Sequence, residues 1–443
     1  MTPGARLAAA IDILDQLHAE KLPADAVAEK YFRSRRYAGS KDRRAVTERV
    51  FSVLRHRARL DWWCARIDES LRPGGRPRVL ADLALADGLG KTEIAELFSG
   101  EGYAPAALTA RETKLLDGFT GQQINHADMP DFVAHEFPAW IAGSLRDLYG
   151  ERLGEEMDAL NGQAPLDLRV NTLQGDCARA LTLLKNDKID ADPTPYSPVG
   201  LRVHCRANLA NTTAYKGGFV EVQDEGSQLL ALVTGARPGM KVIDFCAGAG
   251  GKTLAMAAAM KDQGEIIACD VDAKRLKPIT ARLKRARVSI AETRLLMVGG
   301  DPWLRDHENS ADVVFADVPC SGSGRWRRRP GARWQFSGRD LLDLVKIQQR
   351  IITEVVRLVK PGGRLVYATC SILTEENERQ VDRLLDWFPG EYRVVPIAEA
   401  WADALGSDCP CQGPYLRLTP ARHGTDGFFA AVLERKTEGK SDG

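Results

Sequence analysis

The run Met240-Lys-Val-Ile-Asp-Phe-Cys-Ala-Gly-Ala-Gly-Gly-Lys-Thr253 constrains the fold of this chain more than any other stretch. A short apolar segment, Val242 to Phe245, stops at a glycine-dense turn and feeds into an Ala- and Met-rich segment, Thr253 to Met260. Strand, tight turn, helix is the opening of a nucleotide-type α/β fold. Glycines there let the backbone pass close to a ligand, and the helix start offers it unpaired N–H groups. Two familiar phosphate loops do not fit. A Walker loop needs glycine where Cys246 stands, and a dinucleotide fingerprint needs a third glycine where Thr253 stands. The turn suits a nucleoside ligand without a demand for pyrophosphate.

From Val242 onward, strand and helix patterns alternate. Strands are expected at 242–245, 265–269, 295–298, 312–316, 364–368 and 427–433. The longest helix is expected from Leu341 to Val359, stopped by Pro361-Gly-Gly363. Such alternation predicts a doubly wound, mostly parallel sheet. In these sheets ligands bind at the carboxyl ends of strands. Asp270 ends the second strand, where an acid can accept both ribose hydroxyls. Asp301 follows the third, on the adenine side, and Asp317 ends the fourth. One exposed Asp is commonly a loop residue or a helix cap. Three at successive strand ends beside a glycine turn point to a site.

Two more strand ends carry cysteine, in Asp317-Val-Pro-Cys320-Ser-Gly-Ser-Gly324 and in Tyr367-Ala-Thr-Cys370-Ser371. Free cysteines are mostly inert core residues, a reading that suits Cys64, Cys177, Cys205 and Cys269. Cys320 and Cys370 lie instead on expected turns at the ligand edge, and the arginines after Cys320 would favour thiolate. The residues alone do not rank the two.

Before this region, residues 1–130 read as an all-helical domain. Leu7, Ala10, Ile11, Leu14 and Leu17 fall at helical spacing, as do Val46, Val50, Val53 and Leu54. Residues 131–222 read as linker helices and a small α+β module, with strands at Pro165–Asn171 and near 201–204 and 219–222. The α/β domain takes 223–436, and 437–443 is expected to be a disordered tail. A net charge of +1 conceals basic runs. Between Arg33 and Arg59 ten Arg or Lys face only Asp42 and Glu48; Lys274 to Arg287 holds seven basic residues and no acid. Arg325, Arg327, Arg328, Arg329 and Arg333 alternate with Trp326 and Trp334. The first and third runs, with aromatics nearby, read as a phosphate-binding footprint. The helical domain then either docks RNA or serves as a scaffolding or dimerising bundle.

At 443 residues the chain exceeds one domain. No apolar run approaches the roughly 18 residues of a membrane span. Asp12 and Asp15 interrupt the only apolar run near the N-terminus, so a secretory leader is not expected. A cytoplasmic protein with reduced thiols follows. Cys409, Cys411 and His423 lack the spacing of common zinc sites, and no metal is expected.

Taken together, the glycine turn, the Pro-Cys and Thr-Cys motifs and the closing His423-Gly-Thr-Asp-Gly-Phe-Phe429 resemble the S-adenosylmethionine-dependent RNA 5-methylcytosine methyltransferases, the group of the bacterial Sun (Fmu) proteins. The likeness runs from about residue 165 to 435. It departs at Gly248-Ala249, where the family commonly has Ala-Pro, and at Val318, where it has Ala. More loosely, Arg43-Arg44 to Leu60-Asp61 is similar to the NusB-like RNA-binding domain of bacterial ribosomal members.

The resemblance implies a class I methyltransferase Rossmann-like sheet that binds S-adenosylmethionine. Cys246, Ala247, Gly248, Ala249, Gly250, Gly251 and Lys252 would wrap its methionine and ribose part, with Asp270, Asp301 and Asp317 completing the cofactor site. Cys370 would be the nucleophile, Cys320 would help release product, and Asp317 would face the cytosine edge. RNA contacts would come from Arg169 and Asn171 in the small module and from Arg325, Arg328 and Arg329. Small-subunit ribosomal RNA is the implied substrate, and the RNA-binding layout suggests a monomer. Alternatives are a transfer RNA methyltransferase and a non-catalytic ribosome assembly factor that binds RNA. A DNA cytosine methyltransferase would use one cysteine, and an ATPase would need the missing Walker glycine.

Overall fold

A computed structural model describes residues 1–437 except 21, 73 and 205–207. The expectations for Cys205 and for the tail from 438 fall outside the described residues. The chain divides into two compact units. One comprises Met1–Gly162 and the segment Trp326–Ser337; the other holds Gln163–Arg325 and the described chain from Gly338 onward.

The first unit is helical, as the periodicity predicts. Its helices include Pro3–Ala19, Ser40–Arg55, Arg57–Ile67 and Gly75–Leu85. The apolar stripes of these helices share one core that contains Leu7, Ala10, Leu14, Val46, Val50, Val53, Leu60, Trp63 and Leu80. Many charges of the basic run turn inward to acids of the same unit. Arg49 pairs with buried Asp82 at 2.5 Å and also with Asp87, and Arg59 pairs with buried Glu136 at 2.9 Å. The charges of the run that stay exposed are Arg33, Arg36, Lys41, Arg43 and Arg44, around Tyr37 (71% exposed). Helices Ala142–Tyr149 and Leu153–Asn161, expected as a linker, belong to this unit. Their apolar faces, with Leu145, Met157 and Leu160, are buried.

The second unit begins with strands β1 (Leu166–Val170), β2 (Ala191–Pro193), β3 (Gly200–Val203) and β4 (Val220–Val222). Among the described residues they form an antiparallel sheet in the order β2-β3-β1-β4. Leu168, Val170, Leu201 and Val220 pack there with Ala180 and Leu184 of helix Cys177–Asn186. Strand β2 was not expected; three residues, Ala-Asp-Pro, are too few and too exposed to show an alternation.

The main sheet contains β5 (Lys241–Asp244), β6 (Glu265–Asp270), β7 (Ala291–Leu295), β8 (Ala311–Asp317), β9 (Val359–Thr369), β10 (Tyr392–Val395), β11 (Leu416–Leu418) and β12 (Phe428–Arg435). Its order is β10-β12-β9-β8-β5-β6-β7, parallel from β9 to β7, with β12 antiparallel to β9. Val242, Ile266, Val313 and Val366 face one helical layer, while Ile243, Ile267, Val314 and Leu365 face the other. Cover on both faces explains why these strands read as apolar runs rather than alternating ones.

Two boundaries differ from expectation. Strand β7 is Ala291–Leu295, not 295–298, because an edge strand with mostly exposed side chains has a polar sequence. The apolar residues after it lie in an exposed loop: Met297 and Val298. The long helix ends at Val355, and Pro361-Gly-Gly363 does not stop it. Those residues form an irregularity inside β9, where the register passes from Ala311↔Val359 to Val313↔Arg364. Gly362 there has a φ of +77°, open to glycine at little cost.

No helix among the described residues is long and apolar enough to cross a membrane.

Candidate active site

Strand order reverses between β5 and β8, and the crevice at such a switch point is where an open α/β sheet binds ligands. The glycine turn after β5 and the Pro-Cys loop after β8 are therefore neighbours by topology. The turn closes when the Gly250 N–H donates to the Ala247 carbonyl at 2.9 Å. Gly250 sits at φ +77°, and a Cβ there would lie 2.2 Å from Ile279 Cγ1, so only glycine fits. Helix Gly251–Ala259 follows directly.

Asp270, at the end of β6, accepts the Gly248 N–H at 3.0 Å and the Asp272 N–H at 2.9 Å. It is thus the strut that holds the glycine turn, with Arg275 at 3.6 Å. Lys252 reaches Asp317 at 2.6 Å. Burial by itself would lower Lys252, but the Asp317 carboxylate outweighs it and the ammonium is held above its usual range. The Cys246 thiol is pushed far up by burial and then by Asp270 and Asp317, which makes it an inert wall residue. Asp301 is the N-cap of helix Pro302–Asp306. It accepts N–H groups from Met297 and Trp303, both at 2.9 Å, and these hold its carboxyl below the usual range. The helix-cap job, one of the ordinary roles of an Asp, is filled here.

The two cysteines meet. Cys320 Sγ and Cys370 Sγ are 3.4 Å apart, carried by the loops after the paired strands β8 and β9. The hydrogen bond from Cys320 holds the Cys370 thiol below its ordinary range; burial opposes this, and Arg325 and Lys252 assist. The same bond, with burial, pushes Cys320 well up. Of the two thiols, Cys370 is the more readily ionised. Serine hydroxyls lace the loops together: Ser321 Oγ lies 3.2 Å, and Ser323 Oγ 3.0 Å, from Ser371 Oγ. The Gly324 N–H donates to the Cys370 carbonyl at 3.0 Å. Cys64 and Cys269 are buried with thiols pushed up by burial, as inert core residues should be. Cys411 lies 3.8 Å from His423 Nε2, and no metal-holding group of three ligands occurs among the described residues.

Several expected RNA contacts do not sit where RNA reaches. Arg169 is 3% and Asn171 2% exposed. Arg169 donates to Gln223 at 2.6 Å and to the Leu254 carbonyl at 3.4 Å, and burial pushes its guanidinium down to about 10. Asn171 donates to the carbonyls of Gly218 and Ala286. Both side chains tie the small sheet to helices that flank the main one. We expect Arg169→Ala to lower unfolding stability by about 2–3 kcal/mol while leaving the salt slope of RNA binding unchanged, because no phosphate contact is lost. Thermal melts and a salt titration of RNA affinity check both. Trp326 and Arg333, in the third basic run, are also buried, whereas Arg325 and Arg329 are exposed and Arg328 is half-buried.

Other residues of the site went unread in the sequence. Asp244, at the end of β5, is buried, accepts the Thr253 hydroxyl at 2.6 Å, and leaves Oδ1 without a hydrogen bond. Burial pushes its carboxyl up to about 7. Arg282 donates to the Ala249 carbonyl at 2.6 Å and pairs with Glu221 at 2.9 Å, tying the glycine turn to β4. Only the strand-end position of Asp244 could have flagged it.

The family model for 16S rRNA methyltransferases RsmB/F matches residues 231–434, and a ferredoxin-like domain model of RsmF/B-like methyltransferases matches 137–209. The ribosomal RNA small subunit methyltransferase B of Vibrio vulnificus is 31% identical over 330 residues, 74% of this chain and 71% of that one. The chain belongs to this family. The corresponding enzyme of Photorhabdus laumondii is 28% identical over 413 residues, 89% of this chain and 91% of its own length. Among solved structures, PH0851 is similar with a TM-score of 0.77 and 25% identity, over 98% of this chain and 99% of that one. As an RsmB/F-family methyltransferase, the chain uses S-adenosylmethionine.

The site fits that cofactor. S-adenosylmethionine carries a sulfonium and an ammonium, and Asp244, Asp270 and Asp317 end three adjacent parallel strands. The orphaned Asp244 Oδ1 is a buried acceptor in want of a donor. Exposed apolar residues stand at the ends of β6 and β7, namely Val271, Leu295, Met297 and Val298, with Asp270 in register with Leu295. Beside Asp270 they offer an apolar surface on which a purine ring could pack.

Proposed function

We propose that this RsmB/F-family chain methylates carbon 5 of a cytosine in small-subunit ribosomal RNA through a covalent bond between Cys370 and carbon 6. The observation that carries this reading is the 3.4 Å approach of Cys370 and Cys320 at adjacent strand ends beside the glycine turn. The substrate class rests on the names of the relatives, ribosomal RNA small subunit methyltransferases.

Carbon 5 of cytosine is a weak nucleophile. Addition of the Cys370 thiolate to carbon 6 moves the pair of the 5,6 double bond toward carbon 5, which can then attack an electrophilic methyl group. Bound S-adenosylmethionine supplies that methyl group. Asp317, braced by Lys252, takes the cytosine amino edge or a ring nitrogen. Cys320, having given its own proton to solvent, then takes the proton from the methylated carbon 5, the double bond re-forms, and the carbon–sulfur bond breaks with its electron pair returning to Cys370. Cys246 to Lys252 and Asp270 hold the cofactor, with Asp301 fixing the loop on its adenine side. Exposed Arg325 and Arg329 and half-buried Arg328, with the exposed arginines between Arg33 and Arg44, supply phosphate contacts. The cytosine has to leave its stack to reach two cysteines in a crevice.

The test is nucleoside mass spectrometry after incubation of the protein and cofactor with unmodified ribosomal and transfer RNA pools. 5-Methylcytosine in the small-subunit pool is expected, with a covalent protein–RNA adduct accumulating in Cys320→Ala. Label in transfer RNA alone would move the substrate, and cofactor binding without label in any pool would leave an RNA-binding assembly factor.

A further inference from the structure

Glu376 lies six residues beyond Cys370 and is wholly buried (0% exposed). Its Oε1 accepts the Ser321 N–H at 2.8 Å and the Gln348 amide at 3.0 Å; its Oε2 accepts the Ser321 hydroxyl at 2.5 Å. None of these donors is a cation. The Gln348 amide also donates to the Pro319 carbonyl at 2.9 Å, so Glu376 and Gln348 together grip the chain on both sides of Cys320. The Glu376 backbone is itself fixed, its carbonyl accepting the Tyr367 hydroxyl at 2.7 Å. Burying a carboxyl group costs free energy that hydrogen bonds only offset. Here both oxygens are spent on the residue next to one cysteine.

We propose that Glu376 is a positioning residue for Cys320 in product release, holding residues 319–321 so that the Cys320 sulfur meets the proton on carbon 5. This rests on the reading of Cys320 as the release base. In that step Cys320, its own proton given up to solvent once Cys370 is bonded to carbon 6, takes the carbon 5 proton, the carbon 5–hydrogen pair becomes the 5,6 double bond, and the carbon 6–Sγ bond of Cys370 breaks with its pair on sulfur. A base displaced by a fraction of an ångström loses much of its rate. The carboxylate also adds to what pushes Cys320 up, after the Cys370 hydrogen bond, burial and the Cys370 charge, and so strengthens the base.

The experiment follows covalent adduct formation and decay on denaturing gels, with the full chain, S-adenosylmethionine and an unmodified small-subunit ribosomal RNA transcript. In Glu376→Gln the adduct should form within about threefold of the wild-type rate and resolve about ten- to a hundredfold more slowly. The pH midpoint of resolution should fall, because a neutral amide replaces a carboxylate beside Cys320. Added to Cys320→Ala, Glu376→Gln should change resolution by less than about twofold. A transcript with 5-fluorocytosine, which has no proton to release, should trap Glu376→Gln and wild type equally. Resolution at the wild-type rate, or formation slowed as much as resolution, would overturn the proposal. If Cys320→Ala itself releases product normally, the release-base reading is what fails. Should Glu376→Gln not fold, Ser321→Ala removes only the hydroxyl donor, and slower resolution is required of it too.

Discussion

Cys370→Ala is expected to form no covalent protein–RNA species and to lower methyl transfer by about four orders of magnitude or more, since the activated carbon 5 never arises. Cofactor affinity should be nearly unchanged, because the groups proposed to hold the cofactor are elsewhere. Cys320→Ala is expected to separate the halves of the proposed reaction, with addition persisting and release failing. It also carries a pH signature. The thiol of Cys370 is held down first by the hydrogen bond from Cys320, so thiolate is present below the ordinary thiol range. Without that donor, burial is opposed only by Arg325 and Lys252, and the thiol titrates higher. The midpoint for adduct formation should therefore move to higher pH in Cys320→Ala. Single-turnover adduct formation between about pH 6 and 10 measures this. An unmoved midpoint would mean that the 3.4 Å pair does not set the nucleophile.

Arg333→Ala should destabilise the helical unit by about 3 kcal/mol, a large loss for one side chain. Arg333 is among the largest fully buried side chains. It donates to the Glu136 carbonyl at 2.6 Å and to the Leu160 carbonyl at 3.1 Å, and its guanidinium lies 5.1 Å from the Trp326 ring. Truncation leaves two buried carbonyls without donors and opens a void between them. Nearby, Trp334 donates to the Leu54 carbonyl at 3.0 Å, so the segment is anchored twice. The expected readout is a lower melting transition for the helical unit, with cofactor affinity within about twofold of wild type because the residues proposed to hold the cofactor lie in the other unit. Were Arg333 a phosphate contact, the same variant would melt normally and reduce the salt slope of RNA binding by about one.

Helices of the first unit were legible because their apolar stripes answer to one core: Leu7, Ala10, Ile11, Leu14 and Leu17 are all buried. Strands β5, β6, β8, β9 and β12 were legible because both faces are covered. Edge strand β7 and the short β2, β10 and β11 were not, since exposure or brevity removes the period. At the site, the glycine turn and both cysteines could be read locally, as their chemistry depends on residue type and a turn. Glu376 could not, because nothing in its own neighbourhood says that its carboxylate closes on Ser321, 55 positions earlier.

Arginine shows where the boundary lies. Sequence counts charge but does not say which charges meet acids or carbonyls within the fold, so Arg49, Arg59, Arg169 and Arg333 read as solvent-facing and proved to be internal ties. By itself the sequence determined the class of fold and the family, because these follow from short-range pattern and side-chain type. Only the tertiary structure decided the 3.4 Å thiol pair, the grip of Glu376 on its loop and the inward turn of the basic runs. Those depend on distances between residues far apart in the chain, which strand order and packing alone fix.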